Sequence, residues 1–405
     1  MNEHYDVLII GGGMVGAAIA CSLGGSRLKV AVIEETSPQP FSPEQEHDLR
    51  VSALSIASKN VLDMAGAWKP LVAMRVCPYK RMKVWENAGE VEFRSDDVRE
   101  DALGYIVENR LVQLALLEQL PRHENIDFYC PVSIRRVDYR AEGSSVELAD
   151  GRTLTCRLLV AADGGQSATR RAAGLGVHNW DYEHHAFVLS VETAYPQQDI
   201  TWQRFTPRGP LAFLPMPGPH ASLVWYESPN EIKRLSALSD ADLLRTLKDT
   251  FPPSLGEIKR ILAKGSFPLR RQHAQHYIAE GVALAGDAAH MIHPLAGQGV
   301  NIGLLDAAAL AQVLVEARAK GQDIGSLKTL RAYERMRRQD NLLMMTAMDV
   351  FYRVFGTASA PVTVLRNLGL GLAERLPMAK KKVMRHAMGL EGDLPRLARG
   401  EAILT

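Results

Sequence analysis

Val7-Leu8-Ile9-Ile10-Gly11-Gly12-Gly13-Met14-Val15-Gly16 is the stretch that decides the fold. Four apolar residues run without interruption, as in a strand buried on both faces. Three glycines follow, then a helical pattern from Met14 to Leu23. Leu28-Lys29-Val30-Ala31-Val32-Ile33 is a second buried strand. The whole is a βαβ unit, the setting in which Gly-x-Gly-x-x-Gly has physical meaning. Gly11 permits a tight turn, Gly13 admits a pyrophosphate to the backbone, and Gly16 lets helix and strand pack closely. The helix N-terminus offers free N–H groups to phosphate. Glu34 ends the second strand, where its carboxylate can accept from a ribose hydroxyl; Glu35 adjoins it. The segment alone does not separate FAD from NAD, and a plain tight turn would share the glycines.

The matching segment lies far along the chain: Gly286-Asp287-Ala288-Ala289-His290, then His293-Pro294, then Gly297-Gln298-Gly299-Val300-Asn301-Ile302-Gly303. It follows the short buried strand Gly281 to Ala285 and opens a long helix. Asp287 can bind a polyol hydroxyl such as that of a flavin ribitol. Backbone N–H groups from Gly297 to Asn301 can face the flavin pyrimidine edge. A third motif, Asp163-Gly164-Gly165-Gln166-Ser167-Ala168-Thr169-Arg170, follows an apolar strand; read alone it is a turn and a helix start.

The remaining chain supports a two-domain protein, as 405 residues exceed one core. Residues 79–95 alternate like strands of a separate sheet, and 180–267 are rich in β-formers and aromatics. One helix, Ser239 to Thr250, interrupts them, with Ser239 as N-cap. Expected are an FAD-binding domain of 1–78, 98–178 and 268–345, a β-rich substrate domain of 79–97 and 179–267, and a helical region of 346–405. A formal charge of +1 gives no basic face for nucleic acid. Four scattered cysteines argue against a disulfide framework or metal site and suit a reducing compartment. The N-terminus reads as no leader and residues 6–10 are too short to span a bilayer, so a cytoplasmic protein is expected.

The three segments resemble the fingerprints of class A FAD-dependent aromatic hydroxylases, in order and spacing. A narrower resemblance covers nearly the whole chain. Asp48-Leu49-Arg50-Val51-Ser52-Ala53-Leu54-Ser55, Leu103-Gly104-Tyr105-Ile106-Val107-Glu108-Asn109 and Pro294-Leu295-Ala296-Gly297-Gln298-Gly299-Val300-Asn301 are similar to the ubiquinone-biosynthesis hydroxylases. Trp202 to Pro207, Leu223-Val224-Trp225-Tyr226 and Arg366 to Leu370 resemble the branch acting on a polyprenyl methoxy-methyl-benzoquinol. The resemblance implies an α/β, Rossmann-like FAD-binding domain of the para-hydroxybenzoate hydroxylase type, with an inserted β-rich domain and a helical C-terminus. It also implies FAD contacts at Gly11, Gly13, Met14, Val15, Gly16, Glu34, Glu35, Arg50, Asn109, Asp163, Gly286, Asp287, Pro294, Gly297, Gln298, Gly299, Val300 and Asn301.

The implied reaction is hydroxylation of an electron-rich ring through a flavin C4a-hydroperoxide, with O2 as oxidant and NAD(P)H or another transient donor. Such a site must be closed to water. Trp202, Phe213, Leu214, Pro215 and Trp225 of the β-rich domain are candidates for its wall, with sheet core as the competing reading. His290 and His293 are weak acid–base candidates. Apolar runs and basic residues in the tail (Arg366, Lys380, Lys381, Lys382, Arg385) suit peripheral contact with an anionic membrane, and equally helices with a solvated face. Other quinone-biosynthesis enzymes are candidate partners by resemblance. Another ring position, a soluble phenol as substrate, and a non-catalytic prenyl carrier on the same fold stay open.

Overall fold

The structure, a computed structural model, describes residues 3–403 except 87–88, 207, 253–256, 292–298, 357–380, 383 and 386–387. Its first layer grows from the expected βαβ unit. Glu3–Ile10 lies between Val30–Ile33 and Thr153–Ala161, parallel to both, with Ile9 opposite Val32 and Val160. Ile126–Tyr129 extends the sheet on one side and Val282–Leu284 on the other, again parallel. Residues 7–10, Val30–Ile33, residues 158–161 and Val282–Leu284 are unbroken apolar runs because both faces of the sheet are buried there. Ile278–Ala279, antiparallel to Val282–Leu284, and a hairpin of Ile134–Asp138 and Ser144–Leu148 complete the eight strands.

Helix Met14–Ser22 packs against the long helix Gly299–Ala319, which in turn packs on Leu327–Gly356. Gly299–Ala319 has the length and mean hydropathy, 1.5, to cross a bilayer, but 78% of that window is buried within the protein. It is apolar all round because protein surrounds it. The mutual approach of the two glycine-rich segments needs small residues. A Cβ on Gly286 or Gly303 would stand 2.9 or 2.6 Å from Val15 Cγ2. Val15, in the first segment, thus packs against Gly286 and Gly303 of the second.

The second sheet also has eight strands. Their order is His290–Met291, Ile258–Ala274, Val177–Thr193, His220–Glu227, Leu211–Pro215, Ile200–Arg204, Arg81–Glu86 and Gly89–Arg94. Helices Pro229–Ser236 and Asp240–Thr250 cover one face of it. Ser239 caps the latter as expected, its hydroxyl accepting from Asp242 N. The former was not foreseen, although Ser228-Pro229 with Glu231 is a helix-start pattern. Val177–Thr193 and Ile258–Ala274 are 17 residues each and pass the boundaries at 178 and 267, so the units share continuous strands. His290–Met291, just after Asp287, pairs with Gln272 and His273 of this sheet. A three-stranded sheet of Val51–Leu54, Gly104–Glu108 and Cys77–Tyr79 lies beside the two.

Candidate active site

A cleft of about 420 Å³ lies where the two large sheets meet. Gly13, Met14, Val15, Arg50, Asn109, Gly286, Asp287, Gly299 and Val300 all line it, brought together from four separate stretches of chain. The turn at its edge is built on the expected glycines. Gly11 has φ +102°, and a Cβ on Gly16 would lie 1.9 Å from Gly11 O. A Cβ on Gly13 would meet nothing within 4 Å, and helix Met14–Ser22 begins there without a side-chain cap. Its first N–H groups therefore face an open cradle.

Glu34 accepts from Gly12 N at 2.7 Å through one oxygen and from Thr36 N at 3.0 Å through the other. This fixes the carboxylate beside the glycine turn, and each oxygen keeps a further lone pair. Glu35 points elsewhere and accepts from Ser133 Oγ at 2.9 Å. Asn109 takes a hydrogen bond from Ser52 Oγ at 2.7 Å, and the Arg50 guanidinium carbon stands 4.8 Å from the Phe267 ring centre.

Asp287 remains open to solvent in the cleft. The surrounding protein nonetheless desolvates its carboxyl and raises its pKa, against the opposing charges of His290 and Arg50. Behind it, Gly286 N donates to Asp306 Oδ2 at 3.1 Å. Asp306 is fully buried and also accepts from His290 Nε2 (2.5 Å), Arg337 Nε (2.9 Å) and Asn341 Nδ2 (3.0 Å). Burial would raise its pKa, but His290, Arg337 and Asn341 outweigh that and hold it at about 2. His290 is thus committed to a buried hydrogen bond with Asp306 and positions the turn.

Asp163 accepts from Thr169 N and Oγ1 through Oδ2, while its buried Oδ1 has no partner among the described residues. The neighbouring Arg170 donates to Ala288 O at 2.7 Å and to Gly165 O at 2.9 Å. It ties the Asp-Gly motif to the Gly286–Ala288 turn, a role that spacing alone did not reveal. Asn301 is spent inside the protein: it accepts from Ser55 N at 2.9 Å and donates to Ala53 O at 2.8 Å. Pro294, Gly297, Gln298 and His293 lie outside the described residues.

The substrate-side expectation is redistributed by strand alternation. Trp202, Phe213 and Trp225 pack under the two helices with Leu243, Leu247 and Phe251, on the face turned from the cleft. Trp202 stacks on Phe213, their ring centres 5.8 Å apart. Pro215 ends its strand on the Phe213 face. Of the five, Leu214 lines the cleft. The wall is instead the alternate set, Ala186, Val188, Ser222, Val224 and Tyr226, joined by Phe267 and Leu269. Beside it stands a buried acid, Glu108, bonded to Arg75 (3.1 Å) and Asp48 N (2.8 Å) and near His47 (3.5 Å), whose Nε2 lies 3.3 Å from His220 Nδ1.

An uncapped helix N-terminus at an open glycine, an acid at the strand end, an orphaned Asp163 oxygen and an open Asp287 fit a flavin dinucleotide. Fold and site together define a flavin-dependent oxidoreductase. Residues 4–346 match the family described as FAD binding domain. The chain is 41% identical over 390 residues to 3-demethoxyubiquinol 3-hydroxylase of Escherichia coli, covering 96% of this chain and all of that one. It is 38% identical to ubiquinone hydroxylase UbiL of Rhodospirillum rubrum, over 98% and 94% of the two chains. Crystalline p-nitrophenol 4-monooxygenase PnpA of Pseudomonas putida superposes with a TM-score of 0.78 at 20% identity, covering 96% and 99% of the two chains. The chain belongs to the family of FAD-dependent hydroxylases of ubiquinone biosynthesis.

Proposed function

We propose that this enzyme hydroxylates the ring of a polyprenyl methoxy-methyl-benzoquinol, with FAD lying along the cleft edge from Gly11 to Asp287. The observation that carries this reading is the cleft itself: dinucleotide-binding elements form one side and an apolar sheet face the other. When bound and reduced, FAD supplies the activation of O2; the protein supplies binding, orientation and dryness. Glu34 would hold the adenosine ribose, and the Met14–Ser22 N-terminus the pyrophosphate. Asp287 would hold the ribitol, with Arg50 beside it. Asp163 Oδ1 would take a flavin or donor hydrogen bond. Val188, Val224, Leu214 and Phe267 would pack against the substrate ring and exclude water. Among the described residues no side chain stands out as a strong base in the cleft, and a quinol ring is already electron-rich.

Transient NAD(P)H as donor fits the absence of a second dinucleotide-binding unit among the described residues. Peripheral contact with an anionic membrane has support in the exposed Lys381 and Lys382 and in a lipid-resident substrate. Contact with other quinone-biosynthesis enzymes rests on family likeness. The test is Asp287→Ala in the full chain. The variant should purify folded but colourless, with FAD recovered only at high added concentration. A yellow, active variant would refute the ribitol assignment.

A further inference from the structure

Two serines stand out on the sheet face turned to the cleft, Ser222 in its lining and Ser190 beside it on the same face. Ser190 and Ser222 lie directly opposite each other on adjacent antiparallel strands. They are 3% and 4% exposed, and neither Oγ has a hydrogen-bond partner among the described residues. Ser222 lines the cleft. The sheet neighbours of the pair are Ala263 on one side and Leu214 on the other. The next rows on the same face are Val188 and Val224, then Ala186 and Tyr226. The buried threonines of the same sheet are satisfied: Thr201 donates to Phe213 O at 2.8 Å, and Thr193 to Pro219 O at 3.3 Å.

A buried hydroxyl without a partner costs stability. Two side by side, in a wall otherwise apolar, are explained by a ligand that brings the missing partners. We propose that Ser190 and Ser222 hydrogen-bond the adjacent hydroxyl and methoxy oxygens of the substrate ring. A serine can donate to an ether oxygen and accept from a phenol, so the pair matches that edge. A ring methyl or a prenyl chain offers nothing to either. The pair would set which ring carbon is presented for hydroxylation, with the apolar rows receiving the remaining ring edge. This rests on the quinol reading above.

The test uses full-length FAD-loaded enzyme, Ser190→Ala, Ser222→Ala and the double variant. Two substrates are compared: a short-prenyl methoxy-methyl-benzoquinol and its analogue with hydrogen in place of methoxy. The double variant should raise KM for the methoxy quinol roughly 3- to 10-fold, the worth of one or two hydrogen bonds. Its penalty on the analogue should be smaller. FAD content should be unchanged and the melting midpoint equal or higher, since the variants remove unpaired polar groups. Equal penalties on both substrates, or none, would overturn the assignment. Parent enzyme that hydroxylates neither quinol would instead bring down the quinol reading, and this proposal with it.

Discussion

Replacing Asp306 with Asn should destabilise the protein and loosen its flavin together. The carboxylate is fully buried and serves four donors, from Gly286, His290, Arg337 and Asn341. The amide keeps the shape and one acceptor but removes the charge, leaving Arg337, itself 2% exposed, without its buried counter-ion. Breaking one partner of such a pair costs about 3–5 kcal/mol. For 405 residues the unfolding entropy near the midpoint is about 0.85 kcal/mol/K, so the midpoint should fall by roughly 4–6 °C. The Gly286–Ala288 turn would lose its anchor, so FAD affinity should fall as well. Thermal melts followed by circular dichroism, with flavin release read by fluorescence, measure both. Replacing both charges, Asp306→Leu with Arg337→Met, should recover part of the lost stability. A single variant melting within about 1 °C of the parent would refute the reasoning.

His273 is buried beside Tyr277, and burial, with His290, Arg338, Arg271 and His178 nearby, depresses its pKa to about 4. Between its ordinary value near 6.5 and about 4 the unfolded chain takes up a proton that the folded chain refuses. Stability is therefore full above that window and falls through it, by on the order of 3 kcal/mol. His273→Gln should flatten that acid limb in pH-dependent denaturant melts; an unchanged slope would argue against it. Gly16→Ala places a methyl 1.9 Å from Gly11 O, so it should abolish FAD retention, read as loss of the bound-flavin absorbance.

The nucleotide-binding unit was legible because its signals are local. Strand, turn and helix lie within residues 3–33, and Gly12 and Gly16 answer contacts with Glu34 and Gly11 in or beside that unit. Asp287 was marked by its place after a short buried strand, whereas Asp163, read alone a turn and a helix start, took its expected role from the family resemblance. The side of the second sheet that faces the cleft was not. Trp202, Phe213 and Trp225 were natural choices by size, but register and the covering helices send them to the far face. Once the strands are known, alternation picks out Val188, Val224 and Tyr226. Arg170, Asn301 and Arg337 act through partners more than 30 residues distant, which no spacing displays. Asp306 did carry a signal: a lone acid inside a run of apolar helix needs a buried partner.

The central claim is that this chain inserts one atom of O2 into a methoxy-methyl-benzoquinol ring held in the cleft beside Asp287. Single-turnover reaction of the photoreduced, FAD-loaded enzyme with a short-prenyl quinol under ¹⁸O2 tests it, with the product read by mass spectrometry. One ¹⁸O atom in the new ring hydroxyl is the predicted result. Recovery of unaltered quinol with hydrogen peroxide as the sole oxygen product would contradict it.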